Sequence, residues 1–439
     1  MSSDRRSRTL SWVVALSTAA LVFDGYDLVV YGTVVPTLLA DRGQLGALSP
    51  QQAGALGSYA LVGVMVGALA AGAVADVIGR RAVILINLAW FSAGMGLTAI
   101  AQSLTTFGIF RFITGIGVGA LVATVGALVA EFAEPHQRNR LNAVVYSGVP
   151  AGGVFAALVA MPFANSDHWR LLFAFGALPL IALLPLAVWK LPESPQWLLA
   201  RGHRERAVEL AARTGVTLPT TTTRDSTRVG FSALVRRPLV WPTALLGSMS
   251  FVGLLLTYGL NTWLPQIMQS NGFGKTYSMT FLLVLNLGAI AGGLVASTFA
   301  DRIGSAQRVV ATTFVLAAVT LLLLTLQLPL AVLLCAVALA GVGTIGTQVL
   351  IYGLVASYYP TTARAAGVAW CAGFGRLGGI LGPVIGGLLI GAGMSGSVAF
   401  AIFAGLALVG ALVTSFVPRS PMRTRTPSPV EREHLTTTV

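Results

Sequence analysis

Residues 12–39 read WVVALSTAALVFDGYDLVVYGTVVPTLL, a run of apolar, small and hydroxyl-bearing side chains broken only by two acids, Asp24 and Asp27. A membrane-crossing helix needs about 20 mostly apolar residues, and this run exceeds that. Arg5, Arg6 and Arg8 precede it, as in a secretory signal. A signal core, however, spans only about 7–15 residues. We read the run as a retained first span, with both acids inside the membrane.

Eleven further runs of the same kind follow, at about 52–75, 82–101, 104–130, 141–163, 171–189, 240–267, 277–299, 307–327, 329–357, 365–392 and 396–417. The composition agrees: 55% of the 439 residues are apolar and 10% are charged, against about 25% charged in a soluble domain. A soluble multidomain chain is thereby excluded. One long polar stretch divides the spans six and six. The expected architecture is an all-α integral membrane protein with twelve transmembrane helices in two six-helix bundles related by a pseudo-two-fold axis. Its parts are a tail 1–11, a first bundle 12–189, a central loop 190–239, a second bundle 240–417 and a tail 418–439.

The net charge of +13 could suggest a nucleic-acid partner, but the placement of the 28 Lys and Arg residues argues otherwise. With both termini in the cytoplasm, 23 fall on the inner side, three (Arg42, Arg170, Lys275) on the outer side, and two (Arg111, Arg376) in the membrane. That is the positive-inside pattern. The charge therefore sets orientation in a lipid bilayer, and no nucleic acid is expected.

The halves also repeat. At an offset of 225, Gly67, Leu69, Asp76 and Gly79 match Gly292, Leu294, Asp301 and Gly304; at 226, Gly115, Gly117, Gly152 and Gly153 match Gly341, Gly343, Gly378 and Gly379. Parallel repeats about an axis normal to the membrane belong to transporters whose two bundles rock around a midplane site.

Ionisable groups inside spans are functional candidates by default. Asp24 lies about a dozen residues into the first helix, near mid-membrane at about 1.5 Å per residue. Its spacing of three from Asp27 places both carboxylates on one face, with Tyr31 one turn later. Two neighbouring buried carboxylates cannot both ionise cheaply, so the pair is a candidate proton carrier. His136, His168, His203 and His434 all lie outside the spans, leaving no histidine for that task. Arginine stays charged and matches a carboxylate with a planar fork. We assign Arg111 to proton coupling with the acid pair and Arg376 to a substrate carboxylate. Tyr31, Asn261, Trp263, Gln348 and Tyr352 are expected to complete the substrate cavity, with Asn286 beside them. Cys335 and Cys371 lie in apolar runs without a CxxC or histidine partner, so no metal and no cofactor other than coupling protons is expected. No nucleophile and base pair stands out, which argues against an enzyme.

At the junction of spans two and three, GAVADVIGRR (72–81) places Asp76, Gly79, Arg80 and Arg81 together; Asp301 and Arg302 occupy the corresponding place in the second half. Acid and arginine at such a joint can form a latch broken in each cycle. This motif, RFITGIGVG (111–119) and PESPQWL (192–198) resemble the signature elements of the major facilitator superfamily. The DGYD of span one (24–27) resembles that of its aromatic acid:proton symporters. The resemblance implies import of benzoate-like or hydroxybenzoate-like carboxylates by proton symport across a bacterial cytoplasmic membrane, with both termini cytoplasmic and a monomer as the working unit. It also implies a need for Asp24 and Asp27. A proton-coupled sugar, polyol or other organic-acid symporter, and a proton-driven exporter of hydrophobic compounds, are the alternatives sharing these features.

Overall fold

Helix starts and stops are written in local chemistry. Ser49 and Gln52 form a reciprocal capping box at the head of one span, and Ser103 with Thr106 does the same at another. Gly79 ends the first of these and begins its successor with φ of +96°, a conformation that favours glycine. The computed structural model describes residues 2–134, 137–216, 218, 232, 234–303 and 305–418; the side chains of Asp76 and Asp301, among a few others, lie outside that description.

In chain order the helices of the first half are α1 (Ser2–Ala40), α2 (Arg42–Leu45), α3 (Pro50–Ile78), α4 (Arg80–Ala99), α5 (Leu104–Phe132), α6 (Arg138–Tyr146), α7 (Gly148–Ala160), α8 (Trp169–Gly176) and α9 (Leu183–Lys190). Two short helices follow, α10 (Pro195–Ala200) and α11 (Arg204–Thr214). The second half holds α12 (Val240–Ser270), α13 (Lys275–Ile303), α14 (Ala306–Leu323), α15 (Leu330–Gly341), α16 (Thr347–Tyr358), α17 (Thr361–Gly391) and α18 (Gly396–Ser415). Among the described residues, twelve helical segments are long and apolar enough to cross a membrane, some made of two consecutive helices. The protein is a multi-pass membrane protein.

Two expectations are corrected. Residues 2–11 are not a separate tail but the first turns of α1, because SSDRRSRTL has no glycine or proline to stop a helix. Arg6 on that extension pairs with Glu134 at 3.1 Å. The stretch 190–239 is likewise not all loop, since α10 and α11 occupy part of it.

The internal repeat reappears as repeated contacts. In the first bundle α3 packs on α5, α1 on α7 and α4 on α8; in the second, α13 packs on α15, α12 on α17 and α14 on α18. Glycines make the close approaches at matching positions. Gly115 meets the carbonyl of Ala60, and Gly341 that of Leu285; Gly63 meets the carbonyl of Phe112, and Gly288 that of Ala338. Small residues at such seams let helix backbones approach where lipid gives no hydrophobic drive. The bundles meet along α1 with α12, α3 with α17 and α7 with α13. Contacts across this interface gather at the end carrying loop 41–49: Ser58 Oγ donates to the Ile380 carbonyl at 2.6 Å, Gly32 abuts the Asn261 backbone, and Gly387 abuts that of Pro50.

A Cβ at Gly115 would collide with the Ala60 backbone, whereas one at Gly405 meets nothing within 4 Å. Overpacking costs about 1–3 kcal/mol. Gly115→Ala is therefore expected to lower the melting temperature of the purified protein, and Gly405→Ala to leave it unchanged or raised.

Candidate functional site

The first-span acids have different partners. Asp27, fully buried, forms an ion pair with Arg111 of α5, and its backbone carbonyl accepts from both terminal guanidinium nitrogens at 3.3 Å. Arg111 is 1% exposed and lies 5.6 Å from the ring centroid of Tyr31 and 5.7 Å from that of Phe173. Both distances suit a cation over an aromatic face. Asp24 is also buried, but its Oδ1 has no hydrogen-bond partner among the described residues. It lies within electrostatic reach of Arg376, which belongs to the other bundle. The two acids share a helix face, as a spacing of three implies, and the offset of about 60° between them lets Asp27 pair with Arg111 while Asp24 lies toward Arg376.

Arg376 on α17 is half-buried. Among the described residues it makes no ion pair within 4 Å; its nearest polar contact is the Tyr258 hydroxyl, 3.5 Å from Nη1. Tyr258 and Tyr352 of its own bundle and Asp24 of the other surround it electrostatically. The guanidinium therefore faces the space between the bundles with donors to spare. Tyr146 of α6 is within electrostatic reach of Tyr352, bringing a phenol from each bundle to the same region. Tyr146 and Tyr258 were missed in the sequence, where single tyrosines in apolar runs carry no distinguishing pattern.

Two expected cavity residues are engaged elsewhere. Trp263 is fully buried, donates to the Pro383 carbonyl at 2.7 Å and fits against Gly386 and Gly387, so it ties α12 to α17 within the second bundle. Tyr31 is 1% exposed, donates to the Ala53 carbonyl at 2.7 Å and supports Arg111 from inside the first bundle. Asn261 and Asn286 bond to each other at 3.0 Å and to backbone carbonyls of their own helices. Gln348 donates to Ser250 Oγ at 3.0 Å, while its Oε1 lacks a described partner. Tyr352 is half-exposed and lies near Arg376. A five-residue π-helical segment, Val342–Gly346, joins α15 to α16 just before Gln348.

The side chains of Asp76 at the α3–α4 joint and of Asp301 at the corresponding joint of the second half lie outside the description, and at the first joint other acids supply the clamp. Glu131 of α5 pairs with Arg80 and accepts from Ser194 Oγ. Glu193 accepts from the backbone N–H of Arg81 at 3.0 Å and of Ser194 at 2.8 Å, and a Cβ at Gly79 would strike its carboxylate. Arg81 also donates to the Val188 carbonyl at 2.6 Å. These partners lie on the first bundle and on the segment that directly follows it, so they tie the joint to its own side of the molecule. Arg302, in the second half, is exposed. Glu193 stood in a motif read only for its resemblance, which hid its role.

Among the described residues no group of three or more His, Cys, Asp or Glu is placed to hold a metal ion. A cleft of about 610 Å³ between α3 and α5, lined by Leu56, Tyr59, Val62, Ile109 and Phe112, is apolar and lies apart from Arg376.

Residues 17–365 and 287–438 match the description Major Facilitator Superfamily. A gentisate transporter of Corynebacterium glutamicum is 34% identical over 91% of this chain and 85% of its own length. A benzoate transport protein of Acinetobacter baylyi is 30% identical over 100% of this chain and 96% of its own. The xylose transporter XylE from E. coli, in an inward open conformation, superposes with a TM-score of 0.76 at 18% identity, over 97% of this chain and 99% of that one. That likeness shows a shared fold. The chain belongs to the Major Facilitator Superfamily of membrane transporters, which holds both named relatives.

Proposed function

We propose that the protein imports an aromatic carboxylate, of the benzoate or hydroxybenzoate type, together with protons by alternating access across the bacterial cytoplasmic membrane. The carrying observation is the half-buried Arg376, which has no carboxylate within ion-pair distance among the described residues while Arg111 is closed on Asp27. An arginine left open at the bundle interface suits an anion better than a neutral polyol. Gentisate and benzoate, the substrates in the relatives' names, each carry one carboxylate on an aromatic ring.

The distribution of positive charge supports both termini in the cytoplasm, so the end carrying loop 41–49 faces outward and is closed by its contacts. In the opposite, outward-open state, Asp24 takes a proton and ceases to attract Arg376. The substrate carboxylate then binds there, and the bundles rock about the site. Inside, Asp24 loses its proton and competes again for the guanidinium, which expels the substrate. Asp27 and Arg111 form the second proton-coupling element, because protonating Asp27 leaves the buried guanidinium without counter-charge and loosens α1 from α5. Both halves of the site come from one chain, so a monomer suffices.

Proton symport also suits the energetics. Moving one negative charge inward against the membrane potential costs about 2.3 kcal/mol per 100 mV. One proton cancels that charge and a second adds electrical drive.

Three outcomes are expected in vesicles. Proton-driven uptake of labelled benzoate or gentisate is competed by other aromatic carboxylates and not by xylose; competition by xylose alone would overturn the assignment. Arg376→Lys loses uptake with normal insertion, because a lysine cannot offer two parallel bonds to one carboxylate; wild-type uptake in this variant would remove Arg376 from the site. Asp24→Asn, fixed in a neutral form, retains exchange of internal for external substrate but no longer accumulates it against a gradient. Wild-type accumulation would exclude Asp24 from coupling.

A further inference from the structure

Several buried or half-buried tyrosines in this protein spend their hydroxyl proton on a protein acceptor. Tyr26 donates to the Leu172 carbonyl at 2.6 Å, Tyr31 to that of Ala53 at 2.7 Å and Tyr146 to that of Val122 at 3.3 Å; Tyr359 bonds to Thr243 Oγ1 at 2.9 Å. Tyr258 differs. Its only hydrogen bond among the described residues is one it accepts, from Arg376 Nη1 at 3.5 Å. That length is at the edge of a hydrogen bond, and the phenolic proton has no described acceptor. Tyr258 is half-buried, so its hydroxyl, beside a guanidinium, is free to donate to a molecule that enters the site.

The ring is held in place. A Cβ at Gly379 would come within 2.9 Å of Tyr258 Cδ2 and 3.2 Å of Cε2. Gly379 follows Arg376 by three residues and shares its helix face. The ring of Tyr258 thus lies against a bare patch of α17 that brings its hydroxyl to the guanidinium. This gives Gly379 a use beyond helix packing.

Resting on the reading of Arg376 as the substrate anchor, we propose that Tyr258 is a second substrate-binding residue, whose phenol donates to the carboxylate held by Arg376. A guanidinium and a neutral phenol converge on one group with a single positive charge. The site is thereby matched to a ring carrying one carboxylate, and the phenol adds direction without adding charge. The contact is made to the carboxylate, so its contribution is the same whatever hydroxyls the ring bears.

The test is equilibrium binding of labelled benzoate and labelled gentisate to the purified full-length protein. Tyr258→Phe keeps the ring over Gly379 and removes only the hydroxyl. A hydrogen bond to a charged group accounts for roughly 10- to 100-fold in affinity. The dissociation constants for both ligands are expected to rise by about that factor, equally for each, with the melting temperature unchanged. Gly379→Ala, which displaces the ring, is expected to weaken binding in the wild-type background and to add little in Tyr258→Phe, a non-additivity that marks a shared contact. Unchanged affinity in Tyr258→Phe, or an undiminished effect of Gly379→Ala in its background, overturns the proposal while leaving the transport reading intact. Failure of the wild-type protein to bind either ligand overturns both.

Discussion

Arg111 is a permanent charge placed among apolar helices, and the protein must neutralise it at that spot. Asp27 does so with its carboxylate and its backbone carbonyl together, under two aromatic rings. Removing one partner of such a buried pair destabilises by about 3–5 kcal/mol. The register of α1 against α5 is therefore fixed at this point, and with it the direction of the neighbouring acid. Asp24, one turn earlier, is carried round to face Arg376 across the bundle interface. The two membrane arginines differ because one was given a carboxylate partner inside its own bundle and the other was not.

Glycine geometry lets that arrangement stand. Gly63 and Gly115 bring α3 and α5 to backbone contact, and Gly288 and Gly341 do the same for α13 and α15. The paired seams leave each bundle stiff, while the interface between bundles relies on fewer contacts at one end. Rigid halves with a thinner seam between them are suited to rocking. The Glu131, Glu193 and Arg80 clamp serves the same end, since it ties the α3–α4 joint to α5 and α10 within one half.

Much of this was legible in the sequence because membranes impose simple rules. Span length and the repeat offset each follow from a property of lipid or of helix symmetry, and Gly115 and Gly341, matched at offset 226, recur in matched contacts. The scarcity of charge inside the spans picked out Asp24, Asp27, Arg111 and Arg376. Side-chain direction was less legible. Trp263 and Tyr31 looked like cavity residues by type and depth, but each turns to a backbone carbonyl left available by a neighbouring helix. The 60° between Asp24 and Asp27 is small in sequence terms, yet it points them toward arginines of different bundles. Tyr258 could not be singled out because what distinguishes it is an unspent hydroxyl proton, which only three-dimensional neighbours reveal.

The central claim is that substrate and proton move together through one site. Its most direct test is to reconstitute the protein in vesicles containing a trapped pH indicator, with no gradient imposed, and to add benzoate or gentisate outside at neutral pH. Substrate entry is predicted to acidify the interior faster than in protein-free vesicles, and the excess should vanish in Asp24→Asn. Substrate uptake with no acidification beyond the protein-free rate would contradict the account.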